Sequence, residues 1–84
     1  MRKNGITFGD LRLLLLELGF REAAMDGNHF RFEHPVTGTV LLFRIYRANE
    51  FISERDILVV RRQLVDNGFI ELSTFDRFLE KETA

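Results

Sequence analysis

The chain contains no cysteine. Disulfides therefore cannot staple it, and a thiolate metal centre cannot form. Its continuous apolar runs stop at four residues, as in 13–16 and 40–43. A transmembrane helix needs roughly 20 such residues and a signal-peptide core about 7–15, so neither is expected in this sequence. No glycine-rich loop joins a strand to a helix, so the sequence offers no nucleotide phosphate cradle. Internal repeats and low-complexity segments are missing as well, apart from two similar helix ends noted below. Nor is there an excess of positive charge: 12 Lys and Arg stand against 13 Asp and Glu, a formal net charge of −1. That balance argues against a strongly basic nucleic-acid binder. The absence of cysteine is compatible with a reducing cytoplasm, the expected location.

What the chain has is phenylalanine. Its 84 residues suggest one domain spanning 1–84, with a core at about 7–79. A domain of this size buries only about 60–65% of the surface its unfolded chain exposes. Nine Phe residues supply large apolar areas for the packing that must stabilise it.

Thr7-Phe8-Gly9-Asp10 has capping-box spacing and opens a first helix. Phe8, Leu11, Leu14, Leu15 and Leu18 recur at helical spacing and form its apolar face. Gly19 ends it, with Phe20 folding back onto Leu15. Three strands follow, at 20–25, 29–34 and 39–46. Asp26-Gly27 makes the first turn and Pro35-Val36-Thr37-Gly38 the second, with Gly38 at positive φ. In strand two Phe30 and Phe32 face one way, and His29, Arg31 and Glu33 the other. In strand three Leu41, Phe43 and Ile45 face one way, and Val40, Leu42, Arg44 and Tyr46 the other. Ser53-Glu54-Arg55-Asp56 repeats the capping spacing before a second helix at about 54–67. Its inward residues are Ile57, Val60 and Leu64, with Leu58 and Val65 beside them. Gly68-Phe69 closes it as Gly19-Phe20 closes the first. Ser73-Thr74-Phe75-Asp76 carries the capping spacing a third time and opens a short last helix. Residues 1–6 and 80–84 are expected to be disordered. The expected fold is α+β: a two-layer α-β-β-β-α domain, with a three-stranded antiparallel sheet, two helices on one face and a short C-terminal helix.

The local sequence in this order resembles a known family. Leu18-Gly19-Phe20, Gly27-Asn28-His29-Phe30-Arg31-Phe32, His34-Pro35, Gly38 and Asn67-Gly68-Phe69 are similar to the HicA toxins, over roughly residues 7–79. These are small bacterial mRNA interferases with a double-stranded-RNA-binding-like fold. The resemblance implies that His29 is catalytic, that the substrate is RNA, and that a small HicB-like antitoxin covers the site.

The residues can be weighed for that chemistry directly. Metal-free RNA cleavage needs a base for the 2′-hydroxyl proton and an acid for the leaving 5′-oxygen. An ordinary neutral imidazole suits the first task at cellular pH. Arg31 shares the His29 strand face by parity, and Arg44 lies on the next strand; either can hold a phosphate bidentately. Asn28 and Arg47 complete the candidate RNA-binding set. His34 has the opposite parity to His29 and reads as a strand-end structural residue. Arg44, Arg47, Arg55, Arg61 and Arg62 form a local cationic stretch. Arg55, Arg61 and Arg62 can equally pair with Glu54, Asp56 and Asp66 on a solvated helix. Tyr46 and Phe51 either stack on a base or close the sheet edge. No metal site and no cofactor are expected. The alternative function is a HicA-like domain that binds a protein or RNA without cutting it. Near-neutral charge favours this, as does Asn28, which stands where the family usually has Ser or Thr. A homodimer through the exposed 40–42 face is a third option.

Overall fold

The structure, a computed structural model, describes residues 5–81, with backbone only at 24–26 and 81. Its elements run α1 (Phe8–Glu17), β1 (Arg21–Asp26), β2 (His29–Glu33), β3 (Val40–Arg44), α2 (Glu54–Asp66) and α3 (Leu72–Lys81). The three strands form one antiparallel sheet in the order β1-β2-β3. This is the expected α+β class, with a third helix as long as the first.

Local chemistry sets the helix ends. At α1 both capping-box bonds are present: Thr7 Oγ1 accepts from the Asp10 amide (3.2 Å), and Asp10 Oδ2 accepts from the Thr7 amide (3.1 Å). The two helix ends are twins. Phe20 N–H donates to Leu15 O and Phe69 N–H to Leu64 O, each around a glycine at positive φ. These are Schellman closures, and they turn each Phe back onto the core. Gly19, at φ 99, has a second constraint. A Cβ there would stand 2.9 Å from His34 Nε2, whereas one at Gly68 (φ 77) would meet nothing within 4 Å. Gly19→Ala is therefore expected to cost about 1–3 kcal/mol in urea unfolding, and more than Gly68→Ala, since both carry the left-handed strain but only the first carries the clash.

One face of the sheet is buried under the helices. Phe32, Leu41 and Phe43 meet Phe8, Leu11 and Leu15 of α1, Ile57, Val60 and Leu64 of α2, and Phe75 of α3 in one core cluster. The other face is open, with Val40, Leu42 and Arg44 exposed along β3.

Several expectations are corrected. The strand ends at Arg44, so alternation does not continue through 45–46: Ile45 is 43% exposed and Tyr46 is buried. Ile6 is fully buried, and its carbonyl accepts from the Ile52 amide, so order begins before the helix. Residues 1–4 lie outside the described residues. Leu58 points outward, because α2 meets the core along the narrow 57-60-64 stripe alone. The last helix begins at Leu72, one residue before Ser73, with Phe75 N–H bonding Glu71 O. Ser73 thus sits inside the first turn and is not the cap. α3 runs to Lys81, past the expected end of order; residues 82–84 lie outside the described ones.

Candidate functional site

His29 opens β2 after a two-residue loop. Among the loop residues only Gly27 has positive φ (64). This is the type II′ pattern with glycine at the first central position. A shift in register between Ala23 and Asp26 puts a bulge in β1 beside this corner.

The pairing of β2 with β3 places His29 directly opposite Arg44, and Arg31 opposite Leu42. His34 N–H donates to Thr39 O (2.9 Å), which fixes the hydrogen-bonding phase of the ladder. Bonded and non-bonded pairs alternate, so His29 and Arg44 form a non-bonded pair. In such pairs the Cα atoms approach to about 4.5 Å and the side chains stand closest. The sequence-based candidates His29, Arg31 and Arg44 thus stand at positions of the open face, with His29 and Arg44 facing each other in the ladder, although the Arg44 guanidinium itself turns onto the Tyr46 ring. Among the described residues, no hydrogen bond or ion pair holds the His29 imidazole. Asn28 precedes it in the loop, exposed. Arg47 lies beyond the strand, its amide donating to Glu50 Oε1 (3.0 Å).

Arg44 is strongly oriented. Its Cζ lies 3.8 Å above the Tyr46 ring, which stacks on Phe8 (centroids 5.5 Å), which in turn stacks on Phe30 (5.1 Å). A guanidinium over a ring face is attracted by the ring quadrupole. Tyr46 is fixed from its other end: its hydroxyl donates to Asp56 Oδ2 (2.5 Å) and accepts from the Ser53 amide (3.2 Å). The buried ring is therefore part of the core and not a platform for a base, and of the two connector aromatics only Phe51 remains exposed.

The candidate phosphate-binding arginines Arg31 and Arg44 already have carboxylates. Arg31 pairs with Glu33, and Arg44 pairs with Glu50 at 3.1 Å. The Arg47 backbone amide and the Arg44 guanidinium hold the Glu50 carboxyl below its ordinary range, and Glu50 in turn raises Arg44. The sign follows. The pair is intact above the ordinary carboxylate range and is lost as pH falls through the lowered Glu50 value. Glu33 was legible, standing two residues from Arg31 on one strand face. Glu50 was not, because the connector's path is set by its bonds to α1: Phe8 N–H to Glu50 O and Gly9 N–H to Ala48 O.

His34, Arg61 and Arg62 have structural partners. His34 Nδ1 accepts from the Val36 and Thr37 amides (3.3 and 3.4 Å), and its Nε2 faces Leu18 O at 3.2 Å. Those partners select the neutral imidazole with the proton on Nε2. The ring packs on Phe20 and Phe69 (centroids 5.1 and 4.7 Å). Arg62 pairs with Asp66 within α2 (3.6 Å), as its spacing suggested. Arg61 instead reaches Asp76 of α3 (3.3 Å). Among the described residues, no group of three or more His, Cys, Asp or Glu could hold a metal ion. No helix of the described residues is long and apolar enough to cross a membrane. No protein-family model, no curated protein and no solved structure matches this chain.

Proposed function

We propose that the protein is a HicA-like endoribonuclease, the toxin of a toxin–antitoxin pair, which cuts mRNA without a metal at His29. The observation that carries this reading is the cross-strand pair His29–Arg44, with Arg31 on the same open face. His29 accepts the 2′-hydroxyl proton, and the 2′-oxygen attacks the adjacent phosphorus. The P–O5′ bond breaks, and the leaving oxygen takes a proton from solvent. The products are a 2′,3′-cyclic phosphate and a 5′-hydroxyl, and His29 returns its proton to water. Arg44, whose strand position faces His29, stabilises charge on the phosphorane once phosphate draws it from Glu50 and the Tyr46 ring, with Arg31 on the neighbouring phosphate. Asn28 and Arg47 flank the RNA path. A HicB-like antitoxin and a cytoplasmic setting belong to the same proposal. The test is structured RNA in chelator: wild type cuts it and His29→Ala does not.

The second reading, binding without cleavage, is favoured by the pairing of Arg31 with Glu33 and Arg44 with Glu50. The two readings share a prediction about Glu50. Glu50→Gln removes the charge that competes with phosphate for Arg44. RNA affinity rises, and the slope of log K against log salt steepens by about 0.7–0.9, the signature of one more phosphate contact. A salt titration of wild type beside the variant measures it; an unchanged slope would mean that Arg44 does not meet phosphate.

A further inference from the structure

We propose that the Arg44 guanidinium has two stations, a resting one on the connector and a working one beside His29, and that Glu50 is the catch that holds it at rest. The proposal rests on the functional reading above for the identity of the displacing anion, an RNA phosphate. The catch itself belongs to the free protein.

The backbone and the side chain of residue 44 lead to different places. Its Cα stands opposite that of His29 in a non-bonded pair of the ladder. Its guanidinium is on the connector. Nη2 donates to Glu50 Oε2 (3.1 Å), Nη1 donates to Ile45 O (3.1 Å), and Cζ lies 3.8 Å from the centre of the Tyr46 ring. Both seats are built in. Tyr46 is buried, and its hydroxyl is tied to Asp56 and to the Ser53 amide. Glu50 is tied at three points besides Arg44. Its amide donates to Arg47 O (3.0 Å), its carbonyl accepts from the Phe8 amide (2.8 Å), and its Oε1 accepts from the Arg47 amide (3.0 Å). The seat is therefore fixed, and the part free to move is the arginine side chain, which is 52% exposed.

The strength of the catch suits release by substrate. One guanidinium N–H meets one carboxylate oxygen, because the other oxygen is held by the Arg47 amide. A phosphate can take two parallel N–H bonds from the same guanidinium. Exposed ion pairs are weak, so the exchange favours phosphate. A proton does not open the catch at neutral pH. The Arg47 amide, and after it the Arg44 guanidinium, hold the Glu50 carboxyl below its ordinary range, so its charge persists well into acid. Exposed side chains change rotamer far faster than enzymes turn over, so opening does not limit the rate. The catch acts on binding alone: apparent affinity is reduced by the fraction of molecules in which Arg44 is free.

The test reads the resting station first, in the free protein. There the Arg44 side-chain protons next to the guanidinium lie in the shielding cone of the Tyr46 ring. Glu50→Gln is expected to remove most of that upfield shift. Gln keeps an acceptor for the Arg47 amide, and circular dichroism confirms the fold. An undiminished shift in the variant would overturn the proposal, whether or not RNA binds. A double-mutant cycle with a short single-stranded RNA follows, in the His29→Ala background so that nothing is cut. Glu50→Gln is expected to tighten binding about two- to fivefold when Arg44 is present and to change nothing beside Arg44→Ala. Equal tightening in both backgrounds would overturn the proposal, since Glu50 would then only repel RNA. Failure of every variant to bind RNA would sink the functional reading, and the shift in the free protein would still decide the catch.

Discussion

If His29 is the proposed general base, replacing it with alanine is expected to lower the rate of RNA cleavage by about 10²–10⁴-fold, the span general base catalysis supplies. RNA affinity and the unfolding midpoint stay close to wild type. The split follows from the structure. His29 is exposed, and no described bond ties it to its surroundings. A surface change of this kind alters stability by about 0.5 kcal/mol or less. In the proposed reading phosphate is held by Arg44 and Arg31, which the substitution leaves in place. Single-turnover rates beside equilibrium binding measure the two arms separately. A variant that loses affinity and rate together would reassign His29 to binding.

Phe8→Ala is expected to destabilise the protein by about 3–5 kcal/mol. A domain of this length has about 4–13 kcal/mol in total, so much of the population unfolds under mild denaturant. The position is a hub: the ring stacks on Phe30 and Tyr46 and meets Phe32 and Phe43 edge-on at 6.3 and 5.9 Å. It joins α1 to β2, to β3 and to the connector. Phe8→Leu keeps most of the apolar volume and is expected to cost less. It still removes the ring beneath Tyr46, so it tests whether the stack holds the Arg44 guanidinium away from His29: RNA binding by the folded fraction is then expected to tighten. Urea unfolding and a binding isotherm on both variants decide this.

The legible parts of the fold were those written in local chemistry. The Thr7 and Ser53 caps, the Gly19 and Gly68 closures and the two hairpin turns depend on residues within a few positions of one another. Strand parity then placed His29 and Arg31 on one face, and the register of β2 with β3 set Arg44 opposite His29. The misreadings share a cause, which is tertiary context. Alternation cannot reveal where pairing stops, so Ile45 and Tyr46 exchanged roles once β3 ended at Arg44. A capping motif cannot outweigh the packing of Phe75, so α3 starts ahead of Ser73. Leu58 is as apolar as its neighbours, but the stripe that α2 buries is too narrow to include it. The largest omission at the site was Glu50, whose contact with Arg44 exists because the connector is bonded back to the start of α1.

The central claim is metal-independent cleavage from the 2′-hydroxyl with His29 as base. Its most direct test reads the ends of the RNA fragments made by purified protein in chelator, with His29→Ala in parallel. The account predicts 2′,3′-cyclic phosphate and 5′-hydroxyl ends from wild type and intact RNA from the variant. Uncut RNA in both reactions, equal cutting by both proteins, or 3′-hydroxyl and 5′-phosphate ends would contradict it.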